Sequence, residues 1–485
     1  MPTINRRGWR RPFACCLATL LLANSAAWAD EEPTARPNIV FILADDLGWA
    51  DLGCYGADLH ETPHLDRLAA ESLRFTQACA PAPVCTPTRA SLMCGKHPAR
   101  LHMTIWREAA GNPMRDRALL PPVVEADLPH AERTIAELLH DAGYFTAHIG
   151  KWHLGDVEHF PETQGFDLHI AGNHWGAPAT HFFPYRGRGH GAIRYVPGLN
   201  FGKPDEYLAD RLTDEAIAVM RKAGDRPFFL NLWHYGVHAP IEAKPADVAP
   251  FRGEARPELH HKNITYAGMV KNLDDNVGRI LKALDELGIA DRTLVVFSSD
   301  NGGFLGPTSR EPDQMVTDNA PLRSGKGSLY EGGIRVPLIV RWPGVTKPGT
   351  VCSTSVISTD LYRTLAEIGG AEPKLDAGQQ ADGRSLTPLL RDADAAVADR
   401  VLFWHYPHYY ATTTPVSAIR DGDWKLLEYH EDERIELYNL AEDPSETNDR
   451  STAMPDVASR LRDKLRSWRL EVNAQMPAPN PAVAR

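Results

Sequence analysis

Short apolar, β-rich runs alternate with amphipathic helical stretches along most of this 485-residue chain. The run Asn38–Ala44 shows no inside-outside alternation and reads as a strand buried on both faces. Comparable strands are expected at 144–149, 227–233, 294–298 and 336–340. Helices are expected between them. One runs from Thr62-Pro63 to Leu73, with Leu65, Leu68, Ala69 and Leu73 on one face. Others cover 134–142 (closed by Gly143), 210–223 and 263–287, the last with Val270, Leu273, Val277, Ile280, Leu281 and Leu284 as its stripe. Helices alternating with doubly buried strands require an α/β fold, a mostly parallel central sheet flanked by helices.

Beyond about residue 390 the texture changes. Residues 417–427 read as a hairpin turning at Asp421-Gly422-Asp423, and 436–440 as a further short strand. Val457, Leu461, Leu465 and Trp468 then recur at helical spacing. The expected organisation is a catalytic domain over 30–390, a small C-terminal α+β subdomain over 391–475, and a Pro- and Ala-rich disordered tail over 476–485.

Residues 1–29 read as a secretory signal peptide. Arg6, Arg7, Arg10 and Arg11 precede the apolar run from Phe13 to Leu22, and Ala27-Trp28-Ala29 offers a small-x-small cleavage site. The protein is therefore expected to be secreted or periplasmic. The whole chain carries 52 Lys+Arg against 63 Asp+Glu, a net charge of −11, which argues against a nucleic-acid partner. No internal apolar run has the roughly 20 residues that a transmembrane segment needs. Of seven cysteines, five (54, 79, 85, 94 and 352) follow the leader. An odd number in an oxidising compartment leaves at least one thiol unpaired.

Polar residues collect just after the strands: Asp45-Asp46, Lys151 and His153, His238, and Asp300-Asn301. In a parallel sheet these C-terminal ends share one edge, where ligands bind. Asp45, Asp46, Asp300 and Asn301 would offer three carboxylates and an amide oxygen. That set suits a hard cation, Ca²⁺ or Mg²⁺, better than zinc. In Cys85-Thr86-Pro87-Thr88-Arg89, a cysteine at a helix N-terminus beside an arginine is expected to have a lowered pKa. It is a candidate nucleophile, with a structural disulfide as the alternative.

The segment from Cys85 to Arg89, with Gly95, resembles the modification motif of the type I sulfatases, in which the cysteine is oxidised to formylglycine. The resemblance spans nearly the whole mature chain. It takes in 38–46, Gly-Lys-Trp-His-Leu-Gly at 150–155, Asp-Asn-Gly at 300–302, Arg-Ser-Gly-Lys-Gly at 323–327, Glu-Gly-Gly at 331–333, 436–440 and Asp443-Pro444. It implies an alkaline-phosphatase-like core with a small C-terminal sheet, and a formylglycine-generating enzyme as a partner in maturation.

The resemblance also implies roles. Asp45, Asp46, Asp300, Asn301 and the modified Cys85 would hold the cation, with Arg89 beside the nucleophile. Lys151 would bind the sulfate. His238 and Lys326 would flank the bridging oxygen, and His153 would be the base that expels sulfate. The expected reaction is sulfate ester hydrolysis on a sulfated saccharide, with galactose or N-acetylgalactosamine 4-sulfate as candidates. His405 and His408, within the aromatic run 404–410, either line the substrate pocket or pack between domains; Trp106, His174 and Trp175 are weaker candidates. Two other functions stay open: a phosphonate monoester hydrolase or phosphodiesterase, and a non-catalytic carbohydrate-binding relative.

Overall fold

The computed structural model describes residues 36–483, apart from 112–113, 190, 309–312 and 372–379. The signal peptide expected at 1–29 lies outside the described residues. The elements that position the site are, in chain order, β1 (Asn38–Ala44), α1 (Pro63–Ala70), β2 (Leu73–Phe75), α2 (Cys85–Cys94), α3 (Ile135–Asp141), β3 (Phe145–Gly150), β4 (Leu168–Ile170), α4 (Leu208–Ala223), β5 (Phe228–Trp233), α5 (Ile264–Glu286), β6 (Thr293–Ser299), β7 (Leu338–Arg341), β8 (Thr350–Cys352), α6 (Asp360–Ile368), β9 (Val401–Tyr406), β10 (Val416–Asp421), β11 (Trp424–Tyr429), β12 (Ile435–Asn439) and α7 (Pro455–Glu471).

Eight strands form the central sheet in the order β8-β2-β7-β6-β1-β5-β3-β4. The neighbours β6, β1, β5, β3 and β4 run parallel, and β7 is antiparallel to both of its neighbours. The sheet is thus mostly parallel, as expected, but the strand expected over 336–340 is its reversed member. It also starts later, at Leu338, because Pro337 has no N–H to give to a ladder.

Two apolar layers cover the sheet faces. Alternate β1 residues Val40 and Ile42 face one layer with the α5 stripe, while Ile39, Phe41 and Leu43 face the other with α2, α3 and α6. Thr134 caps α3 rather than belonging to it. Its side chain accepts from the Glu137 N–H, and the Glu137 carboxylate accepts from the Thr134 N–H. The first expected helix is shorter than the sequence suggested. It ends at Ala70, and Leu73 opens β2, where Leu73 and Phe75 point to the same buried face.

The C-terminal sheet is an antiparallel meander, β9-β10-β11-β12. Asp421 pairs with Trp424, so Gly422-Asp423 is the two-residue turn, with Gly422 at φ +63°. Helix α7 packs Ala458, Leu461, Leu465 and Trp468 onto Ile419, Leu426 and Leu437. The segment after Met476 is not the free tail that its composition suggested. Ala478–Pro479 pair with Leu119–Leu120, and Asn480 donates to the carbonyls of Arg115 and Arg117 at 2.9 and 2.8 Å. Backbone pairing holds a stretch whose own side chains are mostly exposed.

A buried ion cluster joins this sheet to the larger domain. Lys425 on β11, with no side-chain exposure, lies 2.8 Å from both Glu331 Oε1 and Glu446 Oε1, and Glu331 also pairs with Arg335. Burial works against ionising Glu331, but Lys425 and Arg335 outweigh it and hold its pKa well below the usual range. Replacing Lys425 with Met strands that charge in the interior. The expected cost is about 3–5 kcal/mol of stability, read as a lowered midpoint in thermal or denaturant unfolding.

Candidate active site

Four adjacent parallel strands bring the polar ends together. In register, Ala44 faces Ser299, Leu43 faces Trp233, and Trp233 faces Gly150. Asp45-Asp46, Asp300-Asn301, Lys151 and the turn carrying His238 therefore leave the sheet at one level. Helix α2 approaches from the side, buried at all ten residues. Its first residue is Cys85, and Arg89 lies one turn further along the same face. Gly95 ends it at φ +67°, where a Cβ would meet the Tyr362 ring at 2.4 Å.

Ligand atoms of Asp45, Asp46, Cys85 and His238 all lie within 4.8 Å of one another. Each carboxylate has its own cation. Arg89 donates Nε and Nη2 to Asp300 Oδ2 at 2.9 and 2.8 Å. Lys151 Nζ donates to Asp45 Oδ2 at 2.7 Å, and Lys326 Nζ to Asp46 Oδ2 at 2.8 Å. Arg89 also donates to the Lys151 carbonyl at 3.1 Å, tying α2 to the end of β3. Asn301 Nδ2 donates to Asp46 Oδ1 at 2.8 Å. Asn301 Oδ1 and Asp45 Oδ1 are buried without a hydrogen-bond partner, the latter 3.7 Å from Arg89 Nη2.

Orphaned acceptor oxygens are costly unless something electropositive faces them. The donor set of Asp45, Asp46, Asp300 and Asn301 fits a hard cation such as Ca²⁺. Backbone strain collects here too: Asp46, His153 and Ser324 adopt φ +61°, +60° and +62°.

Burial and charge set the electrostatics. Burial raises the Asp45 pKa, against Lys151. Burial pushes Asp46 up as well, but Lys326 and His238 outweigh it and hold the carboxyl below its usual range. His238 drops to about 3, chiefly through burial. Its Nδ1–H donates to the Ala239 carbonyl at 2.7 Å, and Nε2 stands 3.5 Å from Asp46 Oδ2. The lowered pKa expected for Cys85 is not found. The thiol is raised, because complete burial outweighs Lys151 and Lys326. All five described cysteines are free, so the disulfide alternative for Cys85 falls away.

His153 stands next to this cluster, its carbonyl accepting from Thr86 Oγ1 at 3.0 Å. His405 does not line the site. It is buried between Ser417 Oγ (2.7 Å) and the Gln475 carbonyl (2.9 Å), a packing role inside the C-terminal sheet. His408 is hydrogen-bonded to Thr104 Oγ1 at 2.8 Å and helps line a cavity of about 290 Å³ with Trp106, Glu108, Met114, Pro121 and Tyr409.

The sequence reading missed three contributors. Tyr410 packs against Gly327, where a Cβ would fall 2.0 Å from its ring, and stands edge-on to Trp106; Thr412 Oγ1 donates to the Lys326 carbonyl. The C-terminal subdomain thus braces the Lys326 loop. Glu108 contacts His153 and carried no sequence signal, being one acid in a four-residue helical turn.

A mostly parallel sheet with carboxylates and cations gathered at its carboxyl edge places the fold in the alkaline-phosphatase-like class. Comparison narrows the class. Residues 37–371 match the sulfatase family, and residues 325–471 match N-sulphoglucosamine sulphohydrolase, C-terminal. A sulfatase of Formosa agariphila is 33% identical, over 94% of this chain and 93% of its own. The steryl-sulfatase of Mus musculus is 36% identical, over 82% and 72%. The crystal structure of Ps i-CgsB in complex with k-i-k-neocarrahexaose matches with a TM-score of 0.74 at 31% identity, covering 89% of this chain and 92% of that one. The chain belongs to the sulfatase family, enzymes of sulfate ester hydrolysis.

A second polar cluster supports the loop behind Asp46. Asp51 accepts from Gly48 N (2.7 Å), Tyr266 OH (2.7 Å) and Thr317 Oγ1 (2.6 Å), and lies 3.3 Å from His261 Nε2. His261 Nδ1 is 2.7 Å from Asp58 Oδ1. Burial disfavours the imidazolium, but Asp51 and Asp58 outweigh it and raise His261 to about 9. A raised folded-state pKa stabilises fully below the unfolded value of about 6.5, and this stability is lost as pH climbs through about 9. About 3 kcal/mol should therefore disappear between pH 6 and pH 10. Unfolding curves of His261→Gln should lack this component of the decline.

Proposed function

We propose that this protein is a secreted or periplasmic sulfatase acting on sulfated carbohydrate, with formylglycine at position 85 and Ca²⁺, or Mg²⁺, at the carboxylate cluster. The observation that carries the reading is the meeting of Cys85 with Asp45 and Asp46 within bonding reach of one cation. The carbohydrate assignment is supported by the Trp106–Tyr409 cavity, whose aromatic walls suit a sugar ring, and by the solved relative in complex with neocarrahexaose. Among sugars, galactose or N-acetylgalactosamine 4-sulfate remains the proposal made from the sequence.

The cation would neutralise charge on a sulfate oxygen and on the oxygen of residue 85. Hydrated formylglycine supplies two hydroxyls on one carbon, one to take the sulfuryl group and one through which the ester can be undone. The remaining work falls to this chain's side chains. Arg89 and Lys151 hold positive charge on the floor of the site, paired with Asp300 and Asp45, and Lys151 is the residue that would bind the sulfate. Lys326 and His238 flank Asp46 at the rim; Lys326 carries the proton that the departing alkoxide needs, while His238, neutral with its Nδ1–H on the Ala239 carbonyl, turns Nε2 toward Asp46.

With formylglycine at position 85, His153 would be the base that accepts the proton of its second hydroxyl, so that sulfate leaves with the electron pair of its bond to carbon. Nothing is oxidised or reduced in this cycle.

Peptide mass spectrometry of active protein should find residue 85 about 18 Da lighter than cysteine. An unmodified thiol in fully active enzyme contradicts the reading. Asp300→Ala should lose bound cation, measured by elemental analysis, together with turnover of an aryl sulfate. Side-by-side rates on aryl sulfate and phosphodiester substrates distinguish this activity from phosphodiester hydrolysis.

A further inference from the structure

His153 is buried, and its two ring nitrogens have different surroundings. Nε2 lies 2.7 Å from Glu108 Oε2, whereas Nδ1 is buried with no hydrogen-bond partner. Glu108 is fixed from its other side: Oε1 accepts from the Gly176 N–H at 3.1 Å and from Arg194 Nη2 at 3.4 Å. The Arg194 guanidinium in turn lies over the Trp175 ring, 4.7 Å from its centroid. Gly176 also borders the imidazole, where a Cβ would stand 2.4 Å from Cε1. The histidine is thus clamped between a carboxylate and a glycine that leaves just enough room.

Burial keeps this imidazole neutral, lowering its pKa to about 4 against the pull of Glu108. A neutral ring has one proton. An ionised carboxylate at Nε2 accepts that proton's hydrogen bond and leaves the lone pair on Nδ1.

We propose that Glu108 is a positioning residue that holds His153 as the Nε2–H tautomer, so that Nδ1 receives the proton in the sulfate-releasing step. The inference rests on the reading of His153 as base given above.

Changing Glu108 to Gln tests the tautomer directly. The donors Gly176 N–H and Arg194 claim the amide oxygen, which turns the amide NH₂ toward His153 Nε2. That nitrogen must then accept, and the proton moves to Nδ1, where it blocks the base. In Glu108→Gln, kcat on an aryl sulfate should fall about 100-fold. KM should fall with it, leaving kcat/KM within about threefold, because sulfuryl transfer to residue 85 does not use His153. Acid-quenched enzyme should retain SO₃ on residue 85, visible by intact mass. Gly176→Ala, whose Cβ displaces the ring, should show the same retained sulfate.

His153→Ala separates the two levels of the inference. If it retains no sulfate during turnover, the base assignment itself fails, and the proposal with it. If it retains sulfate while Glu108→Gln turns over within about threefold of the parent, the positioning role alone is overturned. A kcat/KM that falls as far as kcat in Glu108→Gln, with no retained sulfate, also overturns it.

Discussion

Three carboxylates crowd the rim of this sheet, and they stay together because each has its own cation: Arg89 for Asp300, Lys151 for Asp45 and Lys326 for Asp46. Like charges this close and this buried would otherwise force protonation or separation. The three cations come from α2, from the end of β3 and from the loop after residue 322. The pairing therefore does structural work too, locking a helix and a loop to the sheet edge. It also explains why Cys85 lies where it does: Arg89 anchors α2 through Asp300 and the Lys151 carbonyl, and Cys85 is one turn away.

The C-terminal sheet shares in this arrangement at two points. Lys425 pairs with Glu331, only five residues beyond Lys326. Tyr410 and Thr412 press on Gly327 and on the Lys326 carbonyl. The smaller sheet therefore sets the height of the Lys326 loop over Asp46. It also supplies His408 and Tyr409 to the cavity next to His153's partner, Glu108. A subdomain that looks peripheral in the sequence forms one wall of the site.

Much of this was legible in the sequence because the signals were local. Doubly buried strands followed by Asp45-Asp46 or Asp300-Asn301 announce a sheet edge, and the α5 stripe and the Asp421–Trp424 turn follow from periodicity and glycine. What failed depended on distant partners. Leu73 fits a helical face by spacing, but β7 and β8 recruit it into a strand. The lowered thiol pKa assumed solvent, whereas α2 is encased. His405 shares an aromatic run with His408, yet the strand ends at Tyr406, so His405 stays in the sheet against Ser417 while His408 lies in the loop beyond, beside the cavity. Glu108 meets His153 from 45 residues away, and no spacing rule connects them.

The burial of α2 also constrains the order of events in the life of this chain. Cys85 is 3% exposed, and the whole helix that carries it is packed from all sides. On the proposed chemistry, an enzyme that oxidises that sulfur could not reach it in the finished molecule without dismantling its centre. Oxidation would then have to come first and closure second, on a nascent or still-extended polypeptide. A batch that folded before meeting such an enzyme would be committed to inactivity, however native its shape.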